Sequence, residues 1–555
     1  MNESRNKQPV RRGRSPNNSI DGFSQPRRNQ LRTPGGINAP LNSGKIDEFA
    51  GTEGFTPRNR QRQVQSNANQ KGLNQPLLIS KDGPTRYKRG FFGLGRKKPV
   101  GGTKRKKPWS RKRKIITGIG IFVTILMLIF GFLVLKGYIN INKILKGGGG
   151  AAALDTNVDP SKLKGEGDGR VNIMMLGKGG EGHEGADLTD TIIIASIDPI
   201  AKEAALVSVP RDLYVPVSGG KGSMKINAVY ATGKSNALSK SSRQSPEVKQ
   251  KAEEAGYTLL EQTVEKNLGI PIHYRATIDF NGFKQAVDTV GGIDLKVPSA
   301  VKETLRIDGK TYRLDVKPGQ QHMDGFKALA YSRSRYTSAR GDFDRSERQR
   351  LIIIALKQKI MSAGTYSNPK KISGLLDNLG SHVQTNFSVN DLSRLYDLGK
   401  QIDQSKIYSI GLADPPNNYV TTGNVGGQSV VIPTAGVGNY KAIQGYLRNV
   451  LKDSFIRNEN ASISVFNGTN TVGLAATKGD ELKSYGYNIT AVANAPTKTY
   501  TKTVIVDMRS GSKKYTKNYL EKRFGVSAVS SLPDATIQPG TADFVIILGS
   551  DQATQ

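Results

Sequence analysis

The chain has 555 residues, a formal net charge of +35 and 62 glycines, which argues against one compact globule and is typical of about two to four domains. It contains no cysteine, which excludes disulfides, thiolate nucleophiles and cysteine-based zinc sites. The stability of its folded parts must therefore come from packed cores.

Residues 1–114 form a strongly basic segment that we predict to be disordered. They hold 28 Lys or Arg against 6 Asp or Glu, a local net charge of +22. The segment is rich in Asn, Gln, Ser, Pro and Gly and lacks apolar periodicity, so it cannot bury enough surface to offset the entropy of ordering the chain.

Residues 115–135, IITGIGIFVTILMLIFGFLVL, are predicted to form a transmembrane helix. These 21 residues carry no charge, and at ~1.5 Å per residue they span a hydrocarbon layer of ~30 Å. A dense basic run precedes them, whereas only Lys136, Lys143 and Lys146 follow closely, so the positive-inside rule places the tail in the cytoplasm. We therefore expect a single-pass protein of the cell membrane whose later domains are extracellular.

The remainder of the chain is predicted to contain a flexible linker and two α/β units. The Gly-rich residues 136–167 are typical of a linker. In residues 168–455, strand-like runs such as VNIMML and TIIIASI alternate with helical patterns such as PEVKQKAEEAGYTLLEQTVEKNLG and RLIIIALKQKI, which predicts a layered α/β module. Residues 460–550 repeat the alternation in a smaller α/β domain.

Several catalytic and cofactor motifs can be set aside. The sequence GKGGEG, residues 177–182, has the spacing of a dinucleotide-binding loop, but it leads into another strand and not into a helix N-terminus that could hold a pyrophosphate. The four histidines lie in separate segments without metal-ligand spacing, and the sequence has no GxSxG nucleophile elbow. Zinc-enzyme and serine-hydrolase chemistry is therefore not predicted.

Acidic residues cluster in the Gly-rich loop between the first two strands. They are Glu181, Glu184, Asp187 and Asp190. Hard oxygen ligands of this kind suit Mg²⁺, and the alternative is a solvated loop without a ligand.

The stretch YSRSRYTSARGDFDRSERQR, residues 331–350, gathers six arginines immediately before the apolar run LIIIAL. If extended, Arg333 and Arg335 share one face of a strand, and on a helix Arg345 and Gln349 share another. Converging guanidinium groups match phosphate oxygens bidentately and would neutralise a polyanion. The alternative is a lattice of ion pairs that contributes little stability per pair. Its acidic members would be Asp342, Asp344 and Glu347.

These segments carry a specific resemblance. In order from about residue 171 to 354, the runs NIMMLG, LTDTIIIASIDP, ALVSVPRDLYVPV, KINAVY, HMDGFKALAYSRSR and DFDRSERQRLIII resemble the LytR-CpsA-Psr (LCP) family of membrane-anchored cell-envelope proteins. The run ISVFNGTNTVGLAATKGDELKSYGYNIT resembles the LytR C-terminal domain that often follows that module. The resemblance implies an α/β/α module with a central mixed sheet and a small C-terminal α/β domain.

The family resemblance also implies an activity and a set of site residues. The expected activity is a phosphotransferase-type transfer of a glycopolymer from a polyprenyl diphosphate carrier to peptidoglycan. The side chains implied in binding the diphosphate lie in the motifs SVPRD, KINAVY, YSRSR and DFDRSERQ. They are Arg211, Lys225, Arg333, Arg335, Arg345 and Gln349.

The expected activity also calls for a general base and for an apolar slot. A carboxylate near the diphosphate could accept the proton of the acceptor hydroxyl, and Asp342 is our candidate, with Arg345 beside it stabilising charge. An apolar slot for the polyprenyl chain would be lined by RLIIIALKQKI and TIIIASI.

The resemblance implies Mg²⁺ bound by the aspartate of LTDT, which is Asp190. Two positions depart from the family pattern. Gly179 stands where a second metal-binding aspartate is usual, so Asp187 or Glu181 would have to substitute, and we expect Asp187 to assist. Leu188 stands where an arginine is common, which removes one cation from the diphosphate site.

Two other classes of function remain open at this stage. The chain could be a transcriptional attenuator or regulator that binds nucleic acid through its basic tail, or a wall-binding scaffold without catalysis. The tail would attract polyanions, but it suits anionic membrane lipid equally well, and no DNA-reading motif accompanies it. No specific nucleic-acid partner is therefore expected.

Overall fold

The computed structural model describes residues 145–553 apart from positions 221, 308, 337, 363–378 and 381. The basic tail, the apolar segment 115–135 and residues 136–144 lie outside the described residues, so the predictions about them stay predictions. Within the described part of the chain, no helix is both long enough and apolar enough to cross a bilayer.

The strands of the described residues are as follows. They are β1 (Val171–Lys178), β2 (Thr189–Asp198), β3 (Glu203–Ser208), β4 (Tyr214–Pro216), β5 (Ser223–Lys225), β6 (Tyr274–Asp279), β7 (Ile293–Val297), β8 (Val301–Ile307), β9 (Lys310–Val316), β10 (Gly319–Met323), β11 (Val383–Thr385), β12 (Ile407–Gly411), β13 (Val420–Val425), β14 (Gln428–Pro433), β15 (Ser462–Asn467), β16 (Asn488–Asn494), β17 (Val504–Asp507) and β18 (Phe544–Leu548).

The α-helices of the described residues lie between these strands. They are α1 (Val229–Leu238), α2 (Pro246–Leu268), α3 (Phe280–Thr289), α4 (Gly325–Arg333), α5 (Asp342–Met361), α6 (Val389–Gln401), α7 (Lys441–Val450), α8 (Ser454–Glu459), α9 (Leu474–Tyr485) and α10 (Lys514–Phe524).

A six-stranded sheet forms the centre of the larger unit, in the order β11-β6-β1-β2-β3-β12. Strand β2 runs antiparallel to both β1 and β3, whereas β6 and β12 run parallel to β1 and β3 respectively. The predicted α/β class and central mixed sheet are confirmed. The antiparallel pairing brings the start of β2 and the end of β3 to the same edge of the sheet.

Side chains of the central strands alternate between two apolar cores, as the geometry of a strand requires. Met174 and Ile194 face one core, where they pack with α1, α2 and α7. Ile173 and Ile193 face the other core, which receives residues of α5 and α6. The sheet is therefore the middle of three layers.

Two smaller groups of strands complete the architecture. The pairs β7–β10 and β8–β9 pack with α3, α4 and α5 around a separate apolar core. The C-terminal residues form a four-stranded sheet in the order β16-β15-β18-β17, in which β17 alone runs antiparallel to its neighbour. Buried residues of this sheet, such as Ile463 and Phe544, belong to the same apolar core as Ile173.

The predicted flexible linker is wrong for residues 145–167. This part of the chain, which we call the strap, forms two short 3₁₀-helices, Ala152–Leu154 and Pro160–Lys162. Leu154, Val158 and Leu163 are buried in the core shared with the C-terminal sheet. The Gly and Ala content suggested a tether, but these spaced apolar side chains gain enough from burial to order the segment.

Candidate functional site

Asp190 and Arg211 form the centre of a group of charged side chains at the edge where β2 begins and β3 ends. Asp190 is the second residue of β2, and Arg211 follows β3 after two intervening residues. Asp190 Oδ1 lies 3.0 Å from Arg211 Nη1 and 3.4 Å from Asn227 Nδ2. The structure thus brings the predicted metal ligand into contact with a predicted diphosphate-binding arginine.

Asp212 links Arg211 to Lys225. Asp212 Oδ1 lies 2.8 Å from Lys225 Nζ, and Asp212 Oδ2 lies 3.4 Å from Arg211 Nε. Lys225 reaches this position because it pairs with Tyr214 in the β4–β5 ladder. Sequence reasoning missed Asp212 as a site residue, although it follows Arg211 directly in SVPRD.

The first turn of α5 supplies the other half of the group. Asp342 is the first residue of this helix, and Asp342 Oδ1 lies 2.6 Å from Arg345 Nη1 one turn later. Arg345 is 7% exposed. Burial lowers the pKa of Arg345 to about 10, and the neighbouring charges of Asp342, Arg211, Asp190 and Arg335 act on it with opposing signs. These five side chains, which we call the charged cluster, therefore form one electrostatic unit.

Carboxylates keep Arg211 in its charged form. Burial by itself would lower the pKa of Arg211, but the carboxylates of Asp190, Asp342 and Asp212 outweigh burial and raise the pKa above its ordinary value. Asp342 therefore acts both on Arg345, in its own helix, and on Arg211, which is distant in the sequence.

Arg335 reaches the charged cluster from the loop that follows α4. Arg335 Nη1 lies 3.8 Å from Asp342 Oδ2, and its guanidinium carbon lies 4.5 Å from the centre of the Tyr336 ring. The loop is held by Glu303 of β8, whose Oε2 accepts hydrogen bonds from Arg335 N at 2.8 Å and Ser334 Oγ at 2.6 Å. Glu303 was missed because nothing in its local sequence indicates a contact with this loop.

The extended conformation considered for Arg333 and Arg335 is wrong. Asp324 caps α4 by accepting a hydrogen bond from Lys327 N, and the helix continues to Arg333 because successive turns bury Ala328 and Tyr331. The guanidinium carbon of Arg333 lies 4.8 Å from the centre of the Phe280 ring. Arg333 and Arg335 therefore do not share a strand face, and Arg335 is the one placed beside Asp342.

Gln349 lies on α5 one turn after Arg345. Its Nε2 donates to Ser332 O at 3.4 Å, which connects α5 to the end of α4. In the structure, Gln349 therefore contacts a neighbouring helix. The predicted role of Gln349 in binding diphosphate stays a prediction.

Three of the six arginines in residues 331–350 belong to an ion-pair and hydrogen-bond lattice outside the charged cluster. Arg340 lies 2.7 Å from Asp344, 2.5 Å from Glu347 and 3.1 Å from Asp414. Arg350 also contacts Asp414, and its Nη1 donates to Ser208 Oγ at 2.7 Å. Arg348 donates to Ser338 Oγ and to Ser334 O. Both sequence interpretations of this stretch therefore apply, each to different arginines.

The acidic loop does not gather its carboxylates at one point. Both oxygens of Asp187 lie 2.9 Å from Lys234 Nζ on α1, whereas Asp190 contacts Arg211. A Cβ atom added at Gly179 would lie 2.6 Å from His183 Nδ1, so a side chain there would require the exposed His183 side chain to move. Among the residues that the structure describes, no group of three or more His, Asp or Glu is arranged to hold a metal.

The isoleucines of β2 do not line an open slot. Ile192, Ile193 and Ile194 are buried within the two cores on either side of the sheet. The predicted apolar slot for a polyprenyl chain is therefore wrong for this strand, because neighbouring helices already cover both of its faces.

Comparison with protein-family models identifies both units. The model of the LytR_cpsA_psr family matches residues 134–431, which is more than half of the chain. A second model, described as LytR cell envelope-related transcriptional attenuator, matches residues 460–551.

Curated relatives include transferases and a cell-wall protein. The polyisoprenyl-teichoic acid–peptidoglycan teichoic acid transferase TagV of Bacillus subtilis is 34% identical over 237 residues, which are 41% of this chain and 54% of that protein. The cell wall biosynthesis protein LcpA of Corynebacterium glutamicum is 25% identical over 471 residues, 76% of this chain and 85% of that protein. The crystal structure of B. subtilis TagV is 28% identical, with a TM-score of 0.39, and the match covers 51% of this chain and 97% of that one.

Coverage differs among these relatives. The chain spans about half the length of B. subtilis TagV, at 54%, and 64% of the length of TagU from Enterococcus faecalis, to which it is 32% identical. The shared part in both cases is less than two thirds of the relative.

Proposed function

Because the chain belongs to the LytR-CpsA-Psr family, we propose that it transfers a glycopolymer from a polyprenyl diphosphate carrier to peptidoglycan. The names of its relatives describe transferases that act between polyisoprenyl-linked teichoic acid and peptidoglycan. The observation that carries the proposal is the charged cluster, in which Arg211, Arg335 and Arg345 converge with two carboxylates at one edge of the sheet.

The arginines of the charged cluster suit a diphosphate. Guanidinium groups present planar forks that match phosphate oxygens, and charge-assisted hydrogen bonds of this kind are about twice as strong as neutral ones. Arg211, Arg335 and Arg345 come from three separate segments of the chain, so a ligand with several anionic oxygens could contact all of them. Lys225 lies beside them through Asp212, and Arg333 and Gln349 complete the proposed set.

The proposed reaction is the displacement of polyprenyl phosphate by a hydroxyl group of peptidoglycan. The hydroxyl oxygen forms a bond to the phosphorus that carries the glycan, the bond from that phosphorus to the bridging oxygen breaks, and polyprenyl phosphate leaves. Arg211 and Arg345 stabilise the negative charge that develops on the leaving phosphate. Asp342 accepts the proton of the hydroxyl group.

Mg²⁺ is proposed as a cofactor on a small set of protein ligands. Asp190 fits as one carboxylate ligand, because Mg²⁺ often takes only one or two carboxylates beside substrate phosphates. Asp187 would assist only after leaving Lys234. When bound, the ion would neutralise charge on the phosphate oxygens.

We also propose that the protein is anchored in the cell membrane by residues 115–135, with the tail in the cytoplasm and the α/β units outside. The charge asymmetry of the sequence supports this orientation. Protease added to intact, wall-stripped cells should digest the residues beyond 136 and spare the tail. Cleavage of the α/β units only after the membrane has been permeabilised would contradict the proposed orientation.

The function is tested by measuring transfer with the full chain in lipid nanodiscs. A polyprenyl diphosphate-linked glycan serves as donor and purified peptidoglycan as acceptor, and the glycan attached to peptidoglycan is counted. We expect multiple turnovers with the native sequence and at least a tenfold loss with Arg345→Gln, since one charge-assisted contact contributes ~1.5 to 3 kcal/mol. Binding of the donor without any turnover would favour a wall-binding scaffold and contradict the proposal.

A further inference from the structure

Arg345 is a buried arginine whose hydrogen-bonding capacity is left unused. Its side chain is 9% exposed. Within the described part of the chain, Arg345 Nε has no hydrogen-bond partner, and the guanidinium makes one ion pair, with Asp342. Buried charged groups normally have both a counter-ion and hydrogen bonds, because desolvation without them is costly.

The contact with Asp342 neutralises the charge of Arg345 without satisfying its donors. The two atoms are 2.6 Å apart, but they are not aligned as in a hydrogen bond, and Asp342 Oδ1 is itself a buried oxygen without a hydrogen-bond partner among the described residues. Both side chains of the pair therefore keep unused hydrogen-bonding capacity.

Arg350, one and a half turns further along the same helix, provides an internal comparison. It is as deeply buried as Arg345, yet its guanidinium donates to Ser409 Oγ at 2.5 Å, to Ser208 Oγ at 2.7 Å and to Asp414. Side chains of the described residues thus satisfy the guanidinium of Arg350, whereas they leave Arg345 Nε without a partner. The unsatisfied Arg345 is consistent with a partner that the chain itself does not supply.

We propose that the Asp342 carboxylate is a built-in counter-ion, which occupies the place of a phosphate group beside Arg345 and leaves Arg345 when a diphosphate binds. This inference rests on the proposed function. A phosphate group offers several oxygens in a geometry that a guanidinium fork can satisfy, so it replaces a neutralising contact with hydrogen bonds. Arg335, 3.8 Å from the other oxygen of Asp342, would be released in the same exchange.

Asp342 is placed so that it can leave at small cost. It is the first residue of α5 and follows Gly341, whose φ of 53° marks a sharp change of direction. Its side chain is 23% exposed, so the released carboxylate can be hydrated. It also stays close to the positive end of the helix dipole. In this arrangement Asp342 becomes free to accept a proton only once the diphosphate has taken its place.

Removal of the Asp342 carboxylate should raise the affinity for pyrophosphate. Inorganic pyrophosphate is titrated calorimetrically into the full chain in detergent, at fixed ionic strength and Mg²⁺ concentration. Asp342→Asn should bind pyrophosphate about tenfold more tightly than the native protein, because the internal competitor for one charge-assisted contact is gone. Arg345→Gln should bind it at least tenfold more weakly. In the Arg345→Gln background, most of the gain from Asp342→Asn should disappear.

Asp344→Asn is the matched control. Asp344 lies in the same turn of α5 and pairs with Arg340 at 2.7 Å, outside the charged cluster, so its loss should leave the affinity unchanged. If Asp342→Asn does not fold, as judged by circular dichroism, Asp342→Ser replaces it with the same expectation. If the folded Asp342 variant binds pyrophosphate as tightly as the native protein or more weakly, the counter-ion proposal is wrong. Asp342 would then be a residue that orients the arginines. If the native protein does not bind pyrophosphate at all, the diphosphate site itself fails, and the counter-ion fails with it.

Discussion

Arg523 Nε lies 2.5 Å from Glu166 Oε1, and this ion pair connects α10 of the C-terminal domain to the strap. The hydroxyl of Tyr487 donates to the same Glu166 oxygen at 2.9 Å. Earlier in the strap, Tyr515 Oη donates to Val158 O at 2.9 Å. The C-terminal domain is therefore attached to the segment that leads toward the predicted membrane helix, and the strap lies between the two folded units.

Removal of a strap side chain should destabilise the whole assembly. Leu163 is 0% exposed, so Leu163→Ala should lower the free energy of unfolding by about 2–5 kcal/mol, the usual cost of such a cavity. The free energy is measured by urea unfolding of the full chain in detergent, followed by circular dichroism. Val472→Ala, at a side chain that is 98% exposed, is the control and should change it by less than about 0.5 kcal/mol.

Limited trypsin digestion gives an independent check of the strap. Lys162 and Lys164 flank the buried Leu163, so the native strap should resist cleavage at both lysines, whereas Leu163→Ala should be cut there. Rapid cleavage of the native protein at these two positions would mean that the segment is a flexible linker after all.

The pair Asp168–His273 should make stability depend on pH. Burial would raise the pKa of Asp168, but hydrogen bonds from His273 and from Lys164 N outweigh it and hold the pKa below its ordinary value. Because the folded-state pKa is lower than the unfolded one, this carboxylate stabilises the fold above the ordinary aspartate range and loses that effect as the pH falls through its folded-state pKa. Asp168→Asn should therefore be less stable than the native protein at pH 7, measured as a lower thermal midpoint. The difference should shrink below pH ~4, and a constant difference down to pH 2 would contradict the assignment.

Two arginines, Arg350 outside the charged cluster and Arg211 within it, should separate stability from binding. Arg350→Met removes one partner of a buried ion pair and should cost about 2–4 kcal/mol of unfolding free energy. It should leave pyrophosphate affinity unchanged, because Arg350 lies outside the charged cluster. Arg211→Gln should do the reverse, with affinity reduced about tenfold to a hundredfold and the thermal midpoint nearly unchanged. Loss of stability without loss of affinity in Arg211→Gln would assign Arg211 to the ion-pair lattice.

Mg²⁺ binding should depend mainly on Asp190 and on the presence of phosphate. Calorimetric titration of the full chain should show weak Mg²⁺ binding alone and tighter binding with pyrophosphate, because phosphate oxygens complete the coordination. Asp190→Asn should abolish the pyrophosphate-dependent part. Asp187→Asn should have the smaller effect, since Asp187 is paired with Lys234, and Glu184→Gln in the exposed part of the loop is the control. Indifference to Asp190→Asn would mean that the arginines bind the phosphates without a metal.

Sequence patterns predicted the elements best where the pattern is local. The helix α2 begins with Ser245 as N-cap and Pro246 and ends at Gly269 in the left-handed conformation, all of which are short-range signals. The α/β class was predicted from the alternation of strand-like runs with helical patterns. The strap was predicted wrongly because Leu163 finds its partners in the distant C-terminal domain, and no local pattern announces such a contact.

In the candidate site, too, residues of short motifs could be predicted, whereas contacts between distant residues could not. The family resemblance named Asp190, Arg211, Arg335, Asp342 and Arg345, and the structure places them in one electrostatic unit. It did not indicate that Glu303 holds the Arg335 loop, since that contact joins residues far apart in the chain. Nor could composition separate Arg345 from Arg350, because the difference lies in whether Ser208 and Ser409 reach the guanidinium.

The most direct test of the central claim is an experimental structure of the full chain with a polyprenyl diphosphate analogue bound. Our account predicts diphosphate oxygens within hydrogen-bonding distance of Arg211, Arg335 and Arg345. It also predicts that Asp342 has moved from its present 2.6 Å contact with Arg345 Nη1. A diphosphate bound elsewhere, with the charged cluster unchanged, would contradict the account.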